Sequence, residues 1–115
     1  MDIFDLDQLK FSPTASLFEG GPRAGVGISF FVVRTPPGNA VDLHVHPYSE
    51  TFIVLEGSGR WTAGDAVVEL RADQVLVVPP ETPHGFRNTG DRSLLVVSIH
   101  ESGTLEQTFV GGEPA

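Results

Sequence analysis

The sequence contains no cysteine, a single lysine and no long apolar run. Without cysteine the chain cannot form disulfides, iron–sulfur clusters or thiolate-bound zinc, so any metal must be held by nitrogen and oxygen. No stretch approaches the roughly 18 consecutive apolar residues of a membrane span. The N-terminal residues 1–5 carry neither the basic nor the apolar region of a secretion signal. We therefore expect a cytoplasmic protein that does not associate with a membrane.

Positive charge is also scarce. Fifteen acidic residues against seven Lys and Arg leave a net charge of −8, and no segment clusters its arginines. Such a surface repels a phosphate backbone, so nucleic acid is not an expected partner. The length of 115 residues predicts one domain.

Thirteen glycines and nine prolines divide the chain into short runs rich in β-branched and aromatic residues. The predicted strands are Val26–Arg34, Val41–Val45, Thr51–Glu56, Arg60–Ala63, Val67–Leu70, Val75–Val78, Gly85–Arg87, Leu94–His100 and Leu105–Val110. Gly64-Asp65 predicts a two-residue hairpin turn, and Ile3–Leu9 has helical spacing for about one turn. Short strands with frequent turns predict an all-β sandwich or barrel.

The predicted domain organisation has three parts. Residues 25–110 form the barrel and residues 111–115 a flexible tail. Residues 1–24 are the least strand-like segment, and we expect an N-terminal arm that packs over the barrel or onto a second subunit.

Three of the four histidines fall into two clusters, which contain the candidate metal site. His44 and His46 share one face of a predicted strand because side chains alternate with period two. The turn after His46 can bring Glu50 back to the same face, and His84 comes from a distant strand. Three imidazoles and a carboxylate suit a divalent transition metal, whereas their burial without a cation is costly. The alternative is that these side chains lie at solvated strand ends.

The same residues form a motif that resembles the cupins. Gly38, His44, His46, Glu50 and Gly57 reproduce the first cupin motif, G-x5-H-x-H-x3-E-x6-G, at every position.

The second cupin motif, G-x5-P-x-G-x2-H-x3-N, is matched at Pro79, His84 and Asn88. Its two glycines are replaced by Asp73 and Glu81, which puts the turn geometry in doubt more than the metal ligands. The 15-residue spacer between the motifs resembles that of small single-domain microbial cupins.

The resemblance implies a small double-stranded β-helix, or jelly-roll β-barrel, that is usually dimeric. It implies His44, His46, Glu50 and His84 as metal ligands, with iron, manganese, zinc, nickel and copper all represented in the family. It leaves the reaction open among dioxygenases, isomerases, cyclases and lyases, because fold alone does not specify chemistry.

The leading functional hypothesis is therefore a metalloenzyme that acts on a small organic molecule in the barrel. Glu50 is expected to be a metal ligand and, if displaced, the catalytic general base. The alternative is a non-catalytic binding or sensing module. A homodimer is expected because Phe30–Val33 and Leu94–Val97 are apolar on both faces and need cover.

Five further residues have competing interpretations. Tyr48 and Trp61 are candidates for the pocket wall, although Trp61 fits equally well in the core. Arg60 and Arg87 suit an anionic substrate but fit solvated strand positions better. Asp42 shares the predicted face of His44 and either orients it by a hydrogen bond or lies at the strand mouth in water.

The fourth histidine, His100, lies outside both motifs at the end of a predicted strand. We expect it to be structural.

Overall fold

The computed structural model describes residues 1–115 and is almost entirely β. The strands are β1 (Lys10–Ser12), β2 (Ala15–Glu19), β3 (Ser29–Thr35), β4 (Ala40–Val45), β5 (Glu50–Glu56), β6 (Ser58–Ala63), β7 (Ala66–Arg71), β8 (Val75–Val78), β9 (His84–Arg87), β10 (Leu94–His100) and β11 (Thr108–Phe109). One 3-10 turn (Leu6–Leu9) and one short helix, α1 (Gly20–Ala24), complete the fold. Neither has the length or apolarity of a membrane span.

The strands form two sheets in which all neighbours pair antiparallel. The six-stranded sheet has the order β1-β2-β3-β10-β5-β8, and the five-stranded sheet has the order β11-β4-β9-β6-β7. Most neighbours in the sheets are distant in sequence, as in a jelly roll. The expected all-β barrel of two antiparallel sheets is thereby confirmed.

The core lies between the sheets, where period-two alternation places apolar side chains. In β5, Phe52 and Val54 are buried while Leu55 is exposed. Trp61 of β6 is fully buried and stacks on Phe86 of β9, with 4.8 Å between ring centroids. This apolar core fills one end of the barrel and leaves the other end to the polar cluster.

The N-terminal residues extend the barrel. β2 pairs with β3 over its whole length, so these residues continue the six-stranded sheet. The chain before them covers the outer face of that sheet over β2 and β3 only, where Phe4 packs edge-on against Phe18 and Phe18 stacks on Phe30. At the other terminus, Pro114 is buried and the Ala115 amide donates to the Thr62 hydroxyl.

The nine predicted strands all occur; Val75–Val78 and Leu94–His100 have the predicted bounds, and the other seven have shifted ends. The first begins at Ser29 instead of Val26, and the last contains only Thr108 and Phe109. The two additional strands, β1 and β2, were missed because they are short and carry several polar residues. The Ala63–Ala66 pair across Gly64 and Asp65 confirms the two-residue hairpin.

The two residues that replace motif glycines adopt the left-handed backbone conformation that glycine favours. Asp73 has φ of 71° and Glu81 has φ of 60°, and they are the only non-glycine residues with positive φ. The left-handed conformation is unfavourable for residues with a Cβ atom. The turns therefore keep their geometry despite the substitutions.

Candidate metal centre

Four buried donors meet between the two sheets at one end of the barrel. His44 lies in β4 directly opposite His84 of β9. His46 follows β4, and Glu50 is the first residue of β5 in the facing sheet. One donor atom from each residue lies within 4.8 Å of the others. The structure thus brings together the four residues that the motifs predicted.

Backbone carbonyls orient the three imidazoles. Nδ1 of His44 lies 2.7 Å from the Asp42 carbonyl and Nδ1 of His84 lies 2.7 Å from that of Thr82. Nδ1 of His46 lies 2.9 Å from the Glu106 carbonyl. A carbonyl only accepts, so Nδ1 of each ring carries a hydrogen, and the atom free to bind a metal is Nε2.

Glu50 is the acceptor at the centre of the cluster. Its Oε1 lies 2.8 Å from Nε2 of both His46 and His84, and its Oε2 lies 3.3 Å from Nε2 of His100. Burial raises the pKa of Glu50, but these imidazoles lower it more, and the resulting pKa is well below its usual range. Glu50 is therefore a carboxylate at neutral pH.

His44 is held in its neutral form. Burial lowers its pKa from 6.5 to about 4, because the protonated ring would lose hydration. A neutral imidazole is the form that ligates a metal.

The donor set fits a divalent cation. With hydrogen on Nδ1 alone, Nε2 of His46 and His84 would turn lone pairs towards Oε1 of Glu50 at 2.8 Å, so a proton or a cation must lie between these atoms. Nε2 of His46 is buried without a well-directed hydrogen-bond partner. Imidazole and carboxylate donors suit the divalent transition metals. These four residues can therefore hold a metal ion.

A cavity of about 300 Å³ leads to the cluster and is mainly apolar. Aromatic side chains of Phe11, Phe31, Phe52, Phe86 and Phe109 line it, and its polar end is formed by His44, Glu50, Ser98 and His100. No lysine or arginine lines the cavity.

Asp42 orients His44, but through its carbonyl. The pairing of β4 with β9 shifts register between Val41 and His44, so strict alternation fails there. The Asp42 side chain is consequently exposed while His44 is buried. Of the two predicted alternatives for the Asp42 side chain, the structure shows the solvent-exposed one, and only the Asp42 carbonyl contacts His44.

Three of the remaining candidate residues lie outside the site, one in the core and two on the surface. Trp61 belongs to the core. Arg60 pairs with Glu69 at 2.7 Å on an exposed strand, and Arg87 donates to the Gly38 carbonyl. Neither arginine lines the cavity.

His100 is the site residue that the sequence interpretation missed. It ends β10 directly opposite Glu50 in β5 and is 1% exposed. Its Nδ1 lies 2.8 Å from the Tyr48 hydroxyl, so Tyr48 reaches the cluster through His100. The available signal was parity, because His100 shares a strand face with the buried Val96 and Ser98.

With this architecture and donor set, the chain belongs to the cupin family: residues 31–100 match the family model described as a cupin domain. The "Polyketide synthase CurC" of Streptomyces cyaneus is 42% identical over 62 residues, which are 53% of this chain and 40% of that protein. A Bacillus subtilis "H2HPP isomerase" is 29% identical over 102 residues, 83% of this chain and 43% of that protein. The chain thus spans less than half the length of either curated relative.

A solved structure supports the fold over nearly the whole length. An uncharacterized conserved protein from Klebsiella pneumoniae with a double-stranded β-helix domain aligns with a TM-score of 0.76 at 23% identity. The alignment covers 97% of this chain and 99% of that one. At this identity the likeness establishes the fold alone.

Proposed function

We propose that this cupin is a metalloenzyme that acts on a small, uncharged and largely aromatic or apolar molecule. The observation that carries the proposal is the joining of an apolar cavity to a buried cluster of three imidazoles and one carboxylate. The ligands are His44, His46, Glu50 and His84. The metal belongs to the group iron, manganese, zinc, nickel and copper, which accept such donors.

The metal would polarise a substrate oxygen or supply redox chemistry, depending on its identity. The protein's own groups orient the substrate and accept a proton. Glu50, a carboxylate of low pKa, is better suited to ligation than to proton abstraction. Its catalytic role as a base requires that substrate displace it from the imidazoles that lower its pKa.

The cavity lining supports the substrate class. Ring faces and edges of phenylalanines favour aromatic and apolar contacts. No lysine or arginine lines the cavity, so a substrate carboxylate or phosphate would have only the metal, already shared with Glu50, to neutralise it.

The metal site is tested by elemental analysis of protein purified without a nickel resin. We expect about one metal ion per chain, identified in the same measurement. The double variant His44→Ala/His46→Ala should fold but lose the metal, because it lacks two of the four donors. The control is Asp42→Asn, which changes an exposed acid in the same strand and should retain the metal. Equal metal in the double variant would contradict the site.

The reaction class is tested with a panel of phenols, β-diketones and dicarboxylates, with and without oxygen. We expect conversion of neutral aromatic compounds and none of dicarboxylates. Oxygen consumption identifies a dioxygenase, and conversion without it identifies an isomerase, cyclase or lyase. A protein that binds these compounds equally well without metal and converts none would instead be a non-catalytic binding or sensing module.

We further propose a homodimer formed through the outer face of the six-stranded sheet. Leu55, Val75 and Val77 on this face are 46, 59 and 58% exposed. Val75 pairs with Ile53, which pairs with Val97, so the apolar face continues across three strands. Contiguous apolar surface of this kind marks interaction sites.

Light scattering at low micromolar concentration and high salt tests the dimer, because apolar association persists in salt. We expect about twice the chain mass of 12.3 kDa. Val77→Glu should give a monomer. Val67→Glu is the matched control on the other sheet, where the side chain is 53% exposed, and it should leave the dimer intact. A wild-type species of 12 kDa would refute the proposal.

A further inference from the structure

His100 contacts the metal cluster through Glu50 and differs from the three ligand histidines in its hydrogen bonding. Each ligand histidine has a backbone carbonyl at Nδ1. His100 instead has the Tyr48 hydroxyl at Nδ1, at 2.8 Å. A hydroxyl can donate as well as accept, so the opposite tautomer becomes available to His100.

The surroundings of Tyr48 select that tautomer. The backbone N–H of Glu106 donates to the Tyr48 oxygen at 3.2 Å, which leaves the phenolic hydrogen for Nδ1 of His100. A neutral ring that accepts at Nδ1 carries its hydrogen on Nε2.

The other ring nitrogen of His100, Nε2, gives a second argument. Nε2 of His100 lies 3.3 Å from Oε2 of Glu50 without the geometry of a full hydrogen bond, has no other hydrogen-bond partner, and is almost fully buried, as is Glu50. An Nε2–H attracts the carboxylate, whereas a lone pair would repel it. The rings of His46, at 4.5 Å, and Phe31, at 5.3 Å between centroids, restrict rotation of His100.

We propose that Tyr48 and His100 form a positioning pair that holds Oε2 of Glu50, so that Oε1 is the oxygen presented to the metal. The proposal rests on the metal site proposed above. It assigns His100 an Nε2–H that faces the carboxylate and attracts it electrostatically, and not the role of a fourth imidazole ligand. Oε1 is the oxygen that already faces His46 and His84, in agreement with this division between the two carboxylate oxygens.

Copper(II) binding to untagged protein tests the proposal, with affinity from a competing chelator and the number of bound imidazoles from pulsed electron paramagnetic resonance. We expect three imidazoles in the wild type. His100→Phe should retain all three but weaken copper binding by about 10–100-fold, the usual effect of removing a group that orients a ligand. His100→Gln supplies an amide N–H and should restore most of the affinity.

Tyr48→Phe tests whether Tyr48 acts through His100. It preserves the ring, which stacks on His46 with centroids 5.1 Å apart, and removes only the hydroxyl. Copper affinity should fall in the wild-type background and should not fall further in His100→Phe, because coupled residues are not additive. Circular dichroism of the metal-free variants checks folding, and Tyr48→Phe carries the test if His100→Phe does not fold.

The failures are distinguishable. Wild-type protein that binds no copper would refute the metal site, and the positioning pair with it. Loss of one imidazole signal in His100→Phe would show that His100 is a ligand. Unchanged affinity in both His100→Phe and Tyr48→Phe, with tight wild-type binding, would refute the positioning pair alone.

Discussion

Replacing Glu81 by glycine should stabilise the protein. Glu81 has φ of 60°, and the left-handed region costs a residue with a Cβ atom about 1–2 kcal/mol. Glycine relieves this strain, but it also gives the unfolded chain more conformational freedom, which lowers the stability by about 0.5–1 kcal/mol. The Glu81 side chain is exposed, and its backbone N–H still donates to the His46 carbonyl after substitution. We therefore expect a net gain of about 0.5–1 kcal/mol in the free energy of unfolding.

The measurement is urea unfolding of metal-free protein in chelator, at one protein concentration, because ligand binding and oligomerisation shift apparent stability. Glu101→Gly is the matched control, since Glu101 is exposed and lacks a positive φ. It should lose about 0.5–1 kcal/mol by the entropy term alone. If both variants lose the same stability, the strain at Glu81 does not contribute and the reasoning is wrong.

Three further predictions concern protonation and a buried amide. Metal-free protein should lose up to about 2.5 kcal/mol between pH 7 and 4.5 through His44, whose pKa is about 4 when folded against 6.5. The unfolded chain takes up a proton that the folded chain excludes, so this stability is present above pH 6.5 and is lost as the pH falls towards 4. When the free energy of unfolding is measured by urea at each pH, it should vary less with pH in His44→Gln than in the wild type. An equal pH dependence in the two proteins would contradict the assignment. Metal affinity, measured by chelator competition, should fall with pH because protons compete for the rings, and a flat affinity between about pH 8 and 5 would argue against histidine ligation. Asn88→Ala should lower the free energy of unfolding by about 2–3 kcal/mol, because the buried Asn88 amide donates to the backbone carbonyls of Thr35 and Arg92. Thr89→Ala, which changes an exposed neighbour, should lower it by less than about 0.5 kcal/mol. Equal losses in the two variants would contradict the role of the amide.

The strands of the barrel were largely predictable because they depend on local composition and period two. Glu50, Phe52 and Val54 alternate with less buried residues, and the structure buries all three. The alternation failed at Asp42, where a register shift between β4 and β9 separates its side chain from the face of His44. Such a shift depends on how two distant segments pair, which local periodicity does not contain.

The N-terminal segment shows the same limit. Residues 15–19 become strand β2 because β3 offers them a free edge and Phe30 offers an apolar surface for Phe18. Neither partner is adjacent in sequence, so the short polar run of β1 and β2 gives little local signal.

By itself, the sequence determined an all-β chain with a nitrogen-and-oxygen donor set, because β propensity, turn residues and the spacing of His44, His46, Glu50 and His84 are local properties. Tertiary structure alone decided which other groups complete the cluster. His100 meets Glu50 only because β10 pairs with β5, and Tyr48 meets His100 across 52 positions of the chain. Hydrogen bonds depend on distances of about 3 Å and on direction. Such distances between remote residues are fixed when the sheets close, and no spacing in the sequence specifies them.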